Sequence, residues 1–167
     1  MMGGGLGATA ALEALRGEAP HIDFRQLALV DAQGGGAVFS GARALGFTDA
    51  AAGGGVAVAG NLLAGEDVLP AMLDAFAWLE AQPLGERLIG ALEAGAAKGG
   101  EAGPLHSAGL LADTAPWPVA DLRIDWQDQP VAALVALWEV WRPQMANYVT
   151  RALDPELAPS FGVAGDR

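Results

Sequence analysis

Gly55-Val56-Ala57-Val58-Ala59-Gly60-Asn61-Leu62-Leu63-Ala64-Gly65 is the stretch on which the reading of the fold turns. Its apolar run, closed by glycine at both ends, reads as a buried strand that stops at Gly60-Asn61. A helix is expected over residues 66–80, where Leu69, Met72, Leu73 and Phe76 recur at helical spacing. Glu66 and Asp67 fall in its first turn, where the helix dipole favours negative charge. Toward the N-terminus, residues 25–30 form a near-continuously apolar segment that reads as a buried strand. Residues 31–36 follow as a turn, in which Asp31 can bond backbone amides and the glycines allow positive φ. Residues 37–40 are the return strand of an antiparallel hairpin. A helix is expected over residues 6–15, with Ala8, Ala11, Leu12 and Leu15 on one face and Gly17 ending it. Residues 41–54 read as irregular.

Toward the C-terminus, Pro83 separates the helix from a second one over residues 84–98. Leu84, Leu88, Ile89 and Leu92 make its stripe, and Gly99-Gly100 ends it. Residues 107–111 and 121–125 read as strands around a proline-containing loop at residues 113–118. The last helix is capped by Asp128 or Gln129 and has Pro130 in its first turn. Val131, Leu134, Val135, Trp138 and Trp141 form its buried stripe, and Pro143 disturbs it. Residues 154–167 are expected to be an irregular surface tail. No repeat or interdomain linker is visible, so one α+β domain over residues 1–167 is expected.

The composition narrows the function classes. Of the 167 residues 52% are apolar, enough for a core. Much of that share is alanine, joined by 24 glycines, so close backbone packing is expected in place of large side chains. Lys98 is the only lysine among the 9 basic residues, a bias we read as that of a GC-rich bacterial genome. A net charge of −11 repels phosphate backbones and anionic lipid, which argues against nucleic-acid and membrane partners. No cysteine is present, which removes thiolate catalysis, disulfides and cysteine-ligated zinc. Met1-Met2-Gly3-Gly4-Gly5 lacks the basic and apolar regions of a signal peptide, and a cytoplasmic location is expected.

The residues offer few catalytic patterns. His21 and His106 have no partner at metal-ligand spacing, so no metal is expected. Gly60-x-x-x-x-Gly65 lies between strand and helix, but Glu66 and Asp67 already place negative charge where a nucleotide phosphate would bind, and no cofactor is expected. Leu105-His106-Ser107-Ala108-Gly109 half resembles a nucleophile elbow. Leu105 is too large for the strained turn, and His106 on a strand points to the face opposite Ser107. Asn61 at a strand exit can donate its carboxamide to a developing oxyanion, joined by the backbone amides after Gly60. An Asn there also serves as a turn residue that bonds its own backbone. Trp138 and Trp141 read as core or subunit contact in preference to a stacking platform.

Several pieces in order resemble one bacterial family. They are residues 24–31 leading to Phe39-Ser40-Gly41, then Ala59-Gly60-Asn61-Leu62-Leu63, then Leu84-x-x-Arg87-Leu88-x-x-Ala91-Leu92. Gly99-Gly100 with Ser107-Ala108, Leu122-Arg123-Ile124-Asp125 and Arg151-Ala152-Leu153-Asp154-Pro155 complete the set. Together they are similar to the uncharacterised family called domain of unknown function 1028, from Asp23 to the C-terminus. The resemblance implies a four-layer α/β/β/α sandwich of the Ntn-hydrolase type, whose members use an N-terminal Thr, Ser or Cys as nucleophile and its α-amine as base. It further implies an amide-bond hydrolase acting on a small amide or peptide, with Asn61 at the oxyanion site and Glu101 and Ser107 as secondary polar groups. Against the family pattern, Glu101 replaces an Asp and Gly103 an Arg. The first strands of the sandwich, with the nucleophile, are missing from what is expected to be an N-terminally incomplete domain, inactive alone. The other reading is a non-catalytic binding or assembly module that keeps the fold and forms a homo-oligomer through exposed strand edges.

Overall fold

The structure is a computed structural model, and it describes residues 5–113, 118–160 and 162. The described residues form a mixed α/β structure with small antiparallel sheets, as the α+β reading expects. The chain divides into two compact units, Met1–Leu105 and His106–Arg167.

The first unit begins with helix α1, Ala8–Glu18. Strands β1, Gln26–Val30, and β2, Gly36–Ser40, pair as an antiparallel hairpin with Leu27 opposite Phe39 and Leu29 opposite Ala37. Alternation puts those four residues on one face, and there they pack against Ala8 and Leu12 of α1. Asp31 ties the two elements together. Its Oδ1 accepts the amides of Gln33 at 3.0 Å and Gly35 at 2.7 Å, as the turn reading expects, and its Oδ2 accepts the Ala8 amide at 2.9 Å. The carboxylate thus also closes the first turn of α1, where negative charge is favoured. These bonds from Ala8, Gly35 and Gln33 hold the Asp31 carboxyl below its usual 3.8. A lowered carboxyl contributes stability above its unfolded value and loses it as pH falls through the folded one. Asp31→Asn is therefore expected to lower Tm at pH 7, with the difference from the parent closing as pH falls below about 3.8. A constant difference down to pH 2 in a thermal series (about two units below the unperturbed carboxyl) would contradict this.

A second hairpin follows, from β3, Asp49–Gly53, and β4, Val56–Gly60, with Ala51 opposite Val58 and Ala52 opposite Ala57. The sequence reading left residues 41–54 irregular, so β3 is a correction. Asp49-Ala50-Ala51-Ala52-Gly53 has no β-branched or aromatic residue to signal a strand. The composition fits the packing. Ala51, Val56 and Val58 lie with Val68, Leu69, Met72 and Leu73 of the following helix. The other face carries Ala50, Ala52, Ala57 and Ala59 toward the first hairpin. The approach there is close: a Cβ on Gly36 would lie 2.6 Å from the Ala52 side chain. Gln26 Nε2 donates to the Gly60 carbonyl at 2.9 Å across the two hairpins. β1 was expected to be buried, but its Ala28 and Val30 are exposed. β4 is likewise half-buried apart from Val58, at 8% exposure.

Helix α2 spans Val68–Trp78 and α3 Leu84–Ala97. Glu66 and Asp67 precede α2 and do not form its first turn. The buried positions of α3 are Gly85, Ile89, Ala91 and Gly95, while Leu84 is 41% exposed. The stripe is rotated toward small residues because α3 packs closely on α2: a Cβ on Gly95 would meet Met72 Cγ at 2.8 Å.

In the second unit, β5, Ala108–Asp113, pairs antiparallel with β6, Pro118–Ile124. The expected loop at residues 113–118 lies mostly outside the described residues. Leu110, Ala112, Ala120 and Leu122 make the buried face, and α4, Pro130–Trp141, lies against these strands with Leu134 at 0% and Trp138 at 3% exposure. Pro130 opens α4, and Gln129 precedes it without a side-chain cap. Trp141 is half-buried and donates its Nε1–H to the Val119 carbonyl at 3.0 Å. The chain leaves the helix at Arg142–Pro143 and resumes as α5, Met145–Leu153. In the expected tail, residues 155–157 form a 3-10 turn. Among the described residues no helix is long and apolar enough to cross a membrane.

Candidate functional site

The exit of β4 is held from both sides. Leu62 donates its amide to Leu45 O at 3.0 Å, Leu63 to Phe47 O at 3.0 Å and Ala64 to Gly100 O at 2.9 Å. The Leu62 carbonyl accepts the Ala102 amide at 2.7 Å, and Leu63 bridges antiparallel to Glu101. This lattice holds Leu62 at φ +52°, a left-handed conformation that a non-glycine residue adopts at a cost of about 1–2 kcal/mol. Gly46 makes room for it: a Cβ there would lie 2.8 Å from Leu62 Cδ2. Asn61 stands directly before this residue, half-buried. Its carboxamide makes no hydrogen bond to the described residues, so it does not bond its own backbone as a turn Asn would.

The amides after Gly60 do not form the expected oxyanion pair with Asn61. Those of Leu62, Leu63 and Ala64 are all engaged by backbone carbonyls. They are held there by residues more than ten positions away in sequence, a relation that no local pattern carries. Glu101 is brought to the same backbone lattice through its bridge with Leu63, and its side chain is exposed.

Ser107 belongs to the second unit. It is exposed and immediately precedes β5, not within the strand as read from sequence. His106 turns away from it: the imidazole stacks on Trp126 with centroids 4.1 Å apart and planes 10° apart. The His106 carbonyl accepts the Gln127 amide at 2.8 Å. Its Nδ1 is buried and has no hydrogen-bond partner among the described residues. No Ser107–His106 bond forms, so the two do not make a nucleophile–base pair. Among the described residues no three His, Cys, Asp or Glu side chains cluster to hold a metal ion.

The sequence reading did not single out Arg87 as a site residue. Its guanidinium carbon lies 3.7 Å from the centroid of the Phe76 ring, and its Nε–H donates to the Phe76 carbonyl at 3.2 Å. The available signal was an arginine beside Leu88 on the inner side of a helix pair.

These features define a mixed α/β chain with small antiparallel hairpins and, at a constrained strand exit, a carboxamide with no partner among the described residues. Residues 1–134 match the model of a family described as "Family of unknown function (DUF1028)", and the chain belongs to that family. The match takes in α1, ahead of Asp23 where the resemblance was read to begin, and stops short of residues 151–155. The chain is also similar to the crystal structure of a Silicibacter pomeroyi protein of the same family, at 30% identity and a TM-score of 0.67. The similarity covers 81% of this chain and 60% of that one, so this chain spans less than two thirds of that protein's length. No curated protein matches the chain.

Proposed function

We propose that this chain carries the carbonyl-binding part of an amide-bond hydrolase of the N-terminal-nucleophile type. The observation that supports it is the Asn61 carboxamide: half-buried, unpartnered among the described residues and set beside the left-handed Leu62. The backbone bonds of Leu62, Leu63 and Ala64 fix the strand exit that carries this donor, and a donor placed where an oxyanion develops stabilises it. The succession of contacts in the first unit, from α1 to the first hairpin, to the second hairpin and to α2, is in keeping with an α/β/β/α sandwich of that type. In such enzymes an N-terminal hydroxyl or thiol attacks the carbonyl carbon. The α-amine takes its proton and passes it to the leaving amine, and water then releases the acid from the acyl-enzyme. Asn61 would donate to the carbonyl oxygen in both halves. Glu101 and Ser107 remain secondary polar groups in this reading.

The test is release of amine from a panel of small amides by the protein in its full reading frame. Turnover is expected to fall about 100-fold on Asn61→Ala, as for loss of one oxyanion donor. No turnover with any amide, or turnover indifferent to that change, rejects the proposal.

The second reading, a non-catalytic assembly module, is favoured by the engaged amides of residues 62–64 and by the sheets, which among the described residues have two strands each, so that every strand is an edge strand. It requires self-association, so a monodisperse monomer by light scattering at high concentration counts against it.

A further inference from the structure

At the opposite end of β4 from Asn61 the first unit holds a second feature, which none of the readings above uses. A hollow of about 410 Å³ lies between the β3–β4 turn and the α2–α3 pair. Its walls include Val56 and Leu73, and Arg87, Asp74 and Glu80 also line it. Its size suits an amino acid or dipeptide.

The charged groups are arranged unusually. Stacking on Phe76 and the Nε bond to the Phe76 carbonyl fix the plane of the Arg87 guanidinium. Neither terminal nitrogen has a hydrogen-bond or ion-pair partner among the described residues, so the two-nitrogen edge that matches a carboxylate is left open. Asp74 and Glu80 line the same hollow, yet neither forms an ion pair with Arg87. An arginine recruited only for structure among these carboxylates would be expected to pair with one.

We infer that this hollow binds a small apolar zwitterion, a dipeptide of Leu or Val type. Its carboxylate sits on the Arg87 edge, its ammonium faces Asp74 and Glu80, and its side chains lie against Val56 and Leu73. A phosphate ligand is disfavoured, because the two carboxylates and the overall charge of −11 repel a dianion. The inference stands apart from the Asn61 reading, since no residue is shared.

Calorimetric titration with Leu-Leu tests it, beside two ligands that each lack one charge: the C-terminal amide of Leu-Leu and N-acetyl-Leu-Leu. Saturable binding of Leu-Leu is expected, weakened at least about tenfold for each capped form. Arg87→Met is expected to abolish the discrimination against the C-terminal amide, and Asp74→Asn with Glu80→Gln the discrimination against the acetylated form. The capped ligands are compared on the unaltered protein, so the outcome does not depend on a variant folding. Absence of binding, or equal affinity of the parent dipeptide and either capped form, overturns the inference.

Discussion

Gly41→Ala is expected to destabilise the protein by about 3 kcal/mol, an overpacking cost at the upper end of the usual range. Gly41 follows β2, and its amide donates to Arg25 O at 2.8 Å. Arg43 donates to Asp23 O at 2.8 Å just beyond it. The two segments therefore lie backbone against backbone, and a Cβ on Gly41 would come within 2.7 Å of Asp23 Cα and nearer still to the Asp23 carbonyl. No rotamer change relieves this, because the obstacle is main chain. The added methyl must push apart the 3-10 turn at Ile22–Phe24 and the end of the first hairpin, breaking bonds that set the start of β1. Urea unfolding followed by circular dichroism reads the effect as a lower midpoint at unchanged slope. A loss smaller than about 0.5 kcal/mol, the size of an ordinary surface change, would contradict the packing described.

Leu134→Ala is expected to cost a similar amount, about 3 kcal/mol, for the opposite reason. Among the described residues Leu134 is the largest side chain that is fully buried, on the face of α4 that meets β5 and β6. Among the described residues the second unit has one two-stranded sheet, which is marginal without a helix on its apolar face. Truncation removes the buried methyl groups and leaves a cavity that the surrounding side chains fill only in part. Amide exchange across β5 and β6 should accelerate together with the fall in stability. A change under about 1 kcal/mol would mean that the site collapses around the smaller residue.

Parts of this fold were legible because local pattern and packing agree. The hairpin of β1 and β2 followed from two apolar runs around Asp31 and three glycines, and Asp31 does bond its turn. α4 followed from Leu134 and Trp138 at helical spacing. The failures share a cause, the alanine and glycine content. β3 carries no strand signal, since its small residues suit close packing between hairpins more than intrinsic strand preference. In α3 the leucines drew attention, yet Gly85, Ala91 and Gly95 face inward, because a close helix pair prefers small residues at the contact. β1 looked fully buried from its apolar run, but a two-stranded sheet leaves Ala28 and Val30 uncovered.

The candidate site was legible to the same degree. Gly60-Asn61 is visible as a strand exit, and Asn61 as its one polar side chain. What the neighbouring amides do depends on Leu45, Phe47 and Gly100, which reach them only through the tertiary fold. Arg87 gave even less signal, since its character comes from the Phe76 ring and carbonyl on another helix.

The claim that Asn61 receives a carbonyl group is tested most directly by titrating the 15N-labelled protein with N-acetylglycinamide and following the side-chain NH2 signals of Asn61 by NMR. The reading predicts a saturable shift of those signals, with binding weakened about tenfold in Asn61→Ala, the loss of one hydrogen bond of ordinary strength. Signals that stay in place at saturating ligand, or affinity unchanged by Asn61→Ala, would contradict it.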